Sequence, residues 1–287
     1  MMRLLYDFPV HEGRHSTVEP RSGSGPRTER PIDIDRPAAA RIYDTFLGGG
    51  HNFGVDRTFA EHLARDLPGI TEVYRENRAF LRRGVEHLLS RGIRQFLDLG
   101  SGIPTIGQAH EVAARRTHDF RVLYVDDEPL TAAHSKPLLA ADPRVDMLRA
   151  DLRDPDAVLG SAEAAQLLDL REPVALLASA VLHFLPGADR PAEVIAAYRD
   201  AVPAGSHLVL SHLTGCRAPA AARTMCAHYA GTSDPLFARG TAEITGMFGG
   251  FDVPRPGVAH VAEWRPDPVR PAVSGYRLLF GGVGRKP

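Results

Sequence analysis

Residues 95–105 read Gln95-Phe96-Leu97-Asp98-Leu99-Gly100-Ser101-Gly102-Ile103-Pro104-Thr105, and this stretch decides the fold. Its first five residues form a short apolar run, the length of a buried strand. Two glycines then permit a tight turn and a close ligand approach to the backbone. Thr105 can cap a following helix, expected over 105–116. Working outward, the same rhythm repeats. Strands are expected at 121–125, 145–150, 174–181 and 207–213, with terminal strands at 258–261 and 276–280. Helices are expected from Pro129, from Asp154-Pro155 and over 191–202, proline suiting a first helical turn. Strands alternating with helices imply βαβ units and a parallel sheet covered on both faces. The fold class expected is α/β: a Rossmann-like, doubly wound, mainly parallel seven-stranded sheet with an N-terminal helical cap.

Upstream of this core, 38–47 reads as a helix stopped by Gly48-Gly49-Gly50. A second carries Phe59, Leu63 and Leu67, and a third starts with Thr71 as N-cap and bears Val73, Tyr74, Phe80, Leu81, Val85, Leu88 and Leu89 on one stripe. The expected division is a flexible tail over 1–35, rich in Arg, Ser, Gly and Pro with cancelling charges, a helical cap or lid over 36–92 and the core over 93–287.

Composition bounds the function. The 287 residues carry 34 Lys+Arg against 35 Asp+Glu, a net charge of −1, so there is no basic excess to neutralise a nucleic-acid backbone. The longest apolar run, 174–182 (VALLASAVL), is too short to span a bilayer. The first residues (MMRLLYDFPVHEGRHS) show no apolar stretch of a secretory signal. Cys216 and Cys226 make neither a disulfide framework nor a zinc spacing, so no metal is expected. These features point to the cytoplasm and leave the oligomeric state open.

Ligands of such sheets lie beyond the carboxyl ends of the strands. Asp98 ends the first strand. The third glycine of the dinucleotide fingerprint would fall at Thr105, so that pattern is incomplete, and an acid at Asp98 suits an ammonium or sulfonium rather than a pyrophosphate. Asp126, with Asp127 beside it, ends the second strand, placed to accept two ribose hydroxyls. Asp151 ends the third, where its carboxylate and the Leu152 amide can read an adenine edge. Each acid alone is equally a turn or loop residue. As a set they match a nucleoside with a cationic amino-acid tail, S-adenosylmethionine.

The segments QFLDLGSGIPT, VLYVDDEP, RADLRDP and VALLASAVLHFLP resemble the S-adenosylmethionine-dependent methyltransferases of Rossmann-like fold. More narrowly, ARIYDTFLGGGHNFGVDR, the WRPD at 264–267 and the closing GGVGRKP resemble an actinomycete methyltransferase family long catalogued as a domain of unknown function. The resemblance implies that Gly100, Ser101 and Gly102 lie against the methionine part, with Asp98 near its amino group. It implies ribose at Asp126, adenine at Asp151 and Leu152, and the methionine end at the backbone of Ser179 and Ala180. Tyr43, Asn52 and Phe53 would cover the cofactor. His51 stands where the family often has an acid, which puts that acid's contact in doubt.

A hydroxyl acceptor also needs a base, and histidine is the usual choice. His183 follows the fourth strand on the expected rim, and His212 ends the fifth; a positioning or packing role is open for both. Met225, Tyr229, Met247, Phe248 and Phe251 are candidates for an acceptor pocket or for core. The leading expectation is a small-molecule methyltransferase working by in-line transfer. A non-catalytic S-adenosylmethionine or S-adenosylhomocysteine binder and a nicotinamide-dependent oxidoreductase are the alternatives.

Overall fold

The computed structural model describes residues 32–268 and 275–287. The expected tail therefore lies outside the described residues, apart from its last four. In chain order, helices α1 (Ala39–Leu47), α2 (Gly54–Asp66) and α3 (Ile70–Ser90) precede β1 (Gln95–Leu99). Then come α4 (Ala109–Ala114), β2 (Arg121–Asp126), α5 (Pro129–Leu139), β3 (Val145–Arg149), α6 (Pro155–Leu159), α7 (Ala162–Leu167) and β4 (Val174–Ser179). The chain continues through α8 (Pro191–Ala201), β5 (His207–Leu213), α9 (Pro219–Tyr229), α10 (Thr241–Gly246), β6 (Ala259–His260) and β7 (Leu279–Arg285). The seven strands form one sheet in the order β3-β2-β1-β4-β5-β7-β6. Strands β1 to β5 pair in parallel, and β7 runs antiparallel to both neighbours. The order reverses between β1 and β4, the place where such sheets open a ligand crevice.

Side-chain alternation sorts the buried strands into two cores. Phe96, Val122, Tyr124, Ala175 and Leu177 face one side, together with α3 through Val85 and Leu88. Leu97, Leu99, Leu123, Val125, Leu176 and Ala178 face the other, against Val194, Ile195 and Tyr198 of α8. The boundary expected at residue 92 thus falls between α3 and β1, while α3 shares a core with the strands. Gly84 lets α3 lie close to β5, since a Cβ there would stand 3.0 Å from Val209.

Several expected elements differ, the helix expected from Asp154-Pro155 among them, which is split into α6 and α7. The helix after β1 starts at Ala109 and not Thr105, because Gly107 holds φ at +64°, outside the helical region. α3 begins at Ile70 after a left-handed Gly69, so Thr71 lies within the first turn and caps nothing. The last strand is Leu279–Arg285, not 276–280; its glycines hid it from a reading by propensity. Gly281 and Gly284 are packing requirements there, since Cβ atoms would come within 2.6 Å of the Leu210 carbonyl oxygen and 2.8 Å of Phe251.

The WRPD block at 264–267 also finds its place. Arg83 of α3 donates to the carbonyls of Val261 and Trp264, and Arg82 pairs with Asp267 at 2.5 Å, so the WRPD block locks α3 in position. Among the described residues no helix is long and apolar enough to cross a membrane, and no group of three or more potential ligands could hold a metal.

Candidate functional site

A cavity of about 670 Å³ opens at the carboxyl ends of β1 to β4, under α1 and α3. Of the residues picked from sequence, Tyr43, Asp98, Gly100, Ser101, Gly102, Asp126, Asp127, Asp151, Leu152, Ser179, Ala180 and His183 all line it. Asn52, Phe53 and His212 do not.

The turn after β1 is shaped by its glycines. Gly100 has φ +65°, and a Cβ on it would stand 2.0 Å from Val181 Cγ2. Gly102 has φ +63°, but a Cβ there would meet only Ala40, at 3.7 Å. Gly100 is therefore required by space and conformation, Gly102 by conformation alone.

Asp98 is 3% exposed, and its Oδ2 is buried with no hydrogen-bond partner. Burial pushes its pKa up to about 7, against the pull of the Arg78 charge. Asp126 accepts from the amides of Gly102 (2.9 Å) and Glu128 (3.0 Å). Desolvation and the neighbouring Asp127 nevertheless raise its pKa to about 7. Asp151 is held by Arg153, whose Nε lies 2.8 and 2.9 Å from its two oxygens; Arg153 also reaches Asp189.

On the β4 side, Ala180 takes a positive φ of 56°, costly for a residue with a Cβ. Its amide donates to Ser211. Ser211 donates to Asn77 Oδ1 (2.6 Å), and Asn77 Nδ2 reaches Ser179 (3.1 Å) and Tyr43 (2.9 Å). This network joins α1, α3, β4 and β5 beneath the cavity. Sequence reasoning missed Asn77. The available signal was a polar residue between Tyr74 and Leu81 on the apolar stripe of α3.

The surroundings of the two candidate histidines are specific. His183 is 4% exposed, and its Nδ1 accepts the Leu213 amide at 3.1 Å. The neutral ring therefore carries its proton on Nε2 and has no free lone pair. Burial and the charges of His212 and Arg239 hold its pKa well below the usual range. In this arrangement the neutral His183 ring has its N–H at Nε2 to donate. His212 is fully buried; its Nε2 meets Arg239 (2.9 Å) and its Nδ1 the Leu213 carbonyl (2.7 Å). Burial lowers its pKa to about 4, and both nitrogens are occupied away from the cavity.

Asn52 and Phe53 act at one remove. Asn52 Nδ2 and the His51 amide both donate to Asp44 Oδ2, while Thr105 donates to Asp44 Oδ1 at 2.7 Å. Gly49 has no room for a Cβ, which would fall 1.9 Å from Asp44. The GGGHNF block is thus a turn folded around Asp44, and Asp44 with Thr105 lines the cavity. His51 uses its backbone amide here, so this contact does not depend on the side chain that departs from the family pattern. Phe53 stacks under Arg41, with 5.2 Å from guanidinium carbon to ring centre.

Beyond the β4 end the lining changes to Val73, Tyr74, Phe184, Met225, Tyr229 and Leu236. Tyr74 and Tyr229 share a hydroxyl hydrogen bond of 2.8 Å, and burial raises both phenol pKa values. Met247, Phe248 and Phe251 belong to the opposite core instead.

The family model described as S-adenosyl methyltransferase matches residues 26–287. A solved structure from Thermobifida fusca, described as a candidate methyltransferase, is 39% identical over 88% of this chain and 96% of its own, with a TM-score of 0.82. A DUF574-family protein of Streptomyces avermitilis is 35% identical over 90% of this chain and 100% of its own, with a TM-score of 0.85. The N-methyltransferase NodS of Bradyrhizobium japonicum, solved with S-adenosyl-L-homocysteine, is 13% identical over 86% of this chain and 99% of its own; its TM-score of 0.50 shows likeness of fold alone. No curated protein matches.

Proposed function

The chain belongs to the S-adenosyl methyltransferase family, and on that premise we propose that it methylates a small molecule held beside Tyr74 and Tyr229, by in-line transfer. The family makes it an S-adenosylmethionine-dependent enzyme, which decides against the binder and the oxidoreductase. The observation that carries the site assignment is the line Asp98, Asp126, Asp151 on one wall of one cavity, with Oδ2 of Asp98 buried and unpartnered. A buried acceptor without a partner costs about 1–3 kcal/mol, and an ammonium group would satisfy it.

Residues at the three strand ends fit the cofactor: Asp98 toward its ammonium, Asp126 toward the ribose, Asp151 and the Leu152 amide toward adenine. When bound, it supplies an electrophilic methyl on a cationic sulfur whose leaving thioether is neutral, so no general acid is required. The protein's contribution is alignment and exclusion of water. The strained Ala180 and the Asn77–Ser211 network fix the wall at the methionine end. The aromatic chamber beyond holds the acceptor, and His183 can donate from Nε2 to an acceptor oxygen. With Nε2 of His183 donating, the acceptor proton leaves to solvent.

Incubating the protein with S-adenosylmethionine and a panel of small hydroxyl- and amine-bearing aromatics should release S-adenosylhomocysteine with at least one member. Turnover confined to nucleic acid or protein acceptors would overturn the small-molecule assignment.

A further inference from the structure

We propose that Arg78 anchors the carboxylate of the cofactor's amino-acid end, set against Asp98 so that the two together recognise a zwitterion. The inference rests on the reading of the cavity just given and adds a residue that neither the sequence motifs nor the family match assigns.

Arg78 sits on α3 and lines the cavity opposite the β1 end. Its Nη1 donates to Gln108 Oε1 at 2.7 Å, and Gln108 is itself fixed by donating to the Ile103 carbonyl at 3.0 Å. The guanidinium carbon stands 5.1 Å from the centre of the Tyr43 ring. One corner and one face of the group are thus held. The other edge is not: Nε is buried with no partner, and the guanidinium's hydrogen bond among the described residues is made through Nη1, not Nη2. The Nε–Nη2 edge is a planar fork that takes a carboxylate through two parallel hydrogen bonds.

The opposing group is Asp98, whose Oδ2 is also buried and without a partner. The two are close enough for the Arg78 charge to act on the Asp98 carboxyl. Yet no ion pair joins them among the described residues. One cavity therefore keeps an unpaired donor edge and an unpaired acceptor of opposite charge. Buried polar atoms are rarely left so, and each exception calls for a reason. An α-amino acid supplies both complements from a single carbon, its carboxylate for Arg78 and its ammonium for Asp98. A nucleoside lacking that tail would leave both groups unsatisfied.

Two other duties are open to Arg78: shaping the wall through Tyr43 and Gln108, or holding a carboxylate on the methyl acceptor. Calorimetric binding to the intact protein separates them. The probes are S-adenosylhomocysteine and 5′-methylthioadenosine, which keeps the adenosine and thioether sulfur but has no amino acid. Arg78→Met should raise the Kd for S-adenosylhomocysteine about 10- to 100-fold and leave that for 5′-methylthioadenosine within about twofold. Arg78→Lys, which keeps the charge but not the fork, should fall between wild type and Arg78→Met. Equal loss toward both probes would overturn the proposal in favour of a wall-shaping role. Unchanged S-adenosylhomocysteine affinity would overturn it in favour of acceptor binding or none. Wild-type protein that bound neither probe would instead remove the underlying reading of the cavity.

Discussion

The Leu213 amide of β5 donates to Nδ1 of His183 across 3.1 Å, and that one bond decides what His183 can do. With Nδ1 engaged, the imidazole presents N–H to the cavity. Glutamine can reproduce both ends of this arrangement, accepting from Leu213 through Oε1 and donating through Nε2.

His183→Gln should therefore keep kcat within about tenfold of wild type and leave the pH–rate profile unchanged, whereas His183→Ala should lose more. A kinetic pH series on the three proteins checks this. Loss of the profile's acidic limb in His183→Gln would restore the histidine to the role of base.

Burial raises the pKa values of Asp98 and Asp126 to about 7 in the fold, against about 3.9 for an unfolded aspartate. The folded state holds their protons more tightly, so their contribution to stability is complete below pH 4 and is lost as pH rises through 7. Binding a cationic tail and ribose hydroxyls needs the ionised carboxylates and runs the other way. From pH 5.5 to 8 the melting temperature of the free protein should fall, while the shift produced by saturating S-adenosylmethionine should grow. Thermal scans with and without ligand across that range test both slopes, and parallel slopes would contradict the assignment.

Asp126→Ala should weaken S-adenosylhomocysteine binding about 10- to 100-fold, the loss expected on removing a charged acceptor from ribose hydroxyls. Calorimetry gives the answer directly; an unchanged Kd would place the ribose elsewhere.

The turn offers a steric contrast. Gly100→Ala should abolish cofactor binding, because its Cβ would overlap Val181, while Gly102→Ala carries only the backbone cost of about 1–2 kcal/mol. Comparing their chemical denaturation and ligand affinities tests this ordering, and the reverse ordering would refute it.

Arg41 is fully buried between Asp56 (2.9 Å) and Glu128 (3.3 Å). Arg41→Met would strand two buried carboxylates and should cost about 3–5 kcal/mol in urea unfolding. A loss under about 1 kcal/mol would mean that water reaches the cluster.

The sequence by itself carried the sheet and the line of acids. Residues 174–178 (VALLA) are a continuous apolar run, and a run buried on both faces is legible without knowing its partner. Asp98, Asp126 and Asp151 were legible because strand ends of a parallel sheet share one edge. Asp44, Asn77 and Arg78 were not, because each acts through partners distant along the chain: Thr105, Ser211 and Gln108. The glycine strand β7 was misplaced for a related reason. Leu210 and Phe251 exclude side chains from it, and no local propensity reports a neighbour.

Tertiary structure alone decided which nitrogen of His183 holds the proton, that His212 spends both of its own on Arg239 and Leu213, and that Asn52 and Phe53 support the cavity without lining it. Residue type and spacing specify which groups are present and which edge they occupy. Protonation and hydrogen-bond direction depend on which lone pairs neighbours have already taken and how much water is left, and both are settled only when distant segments pack.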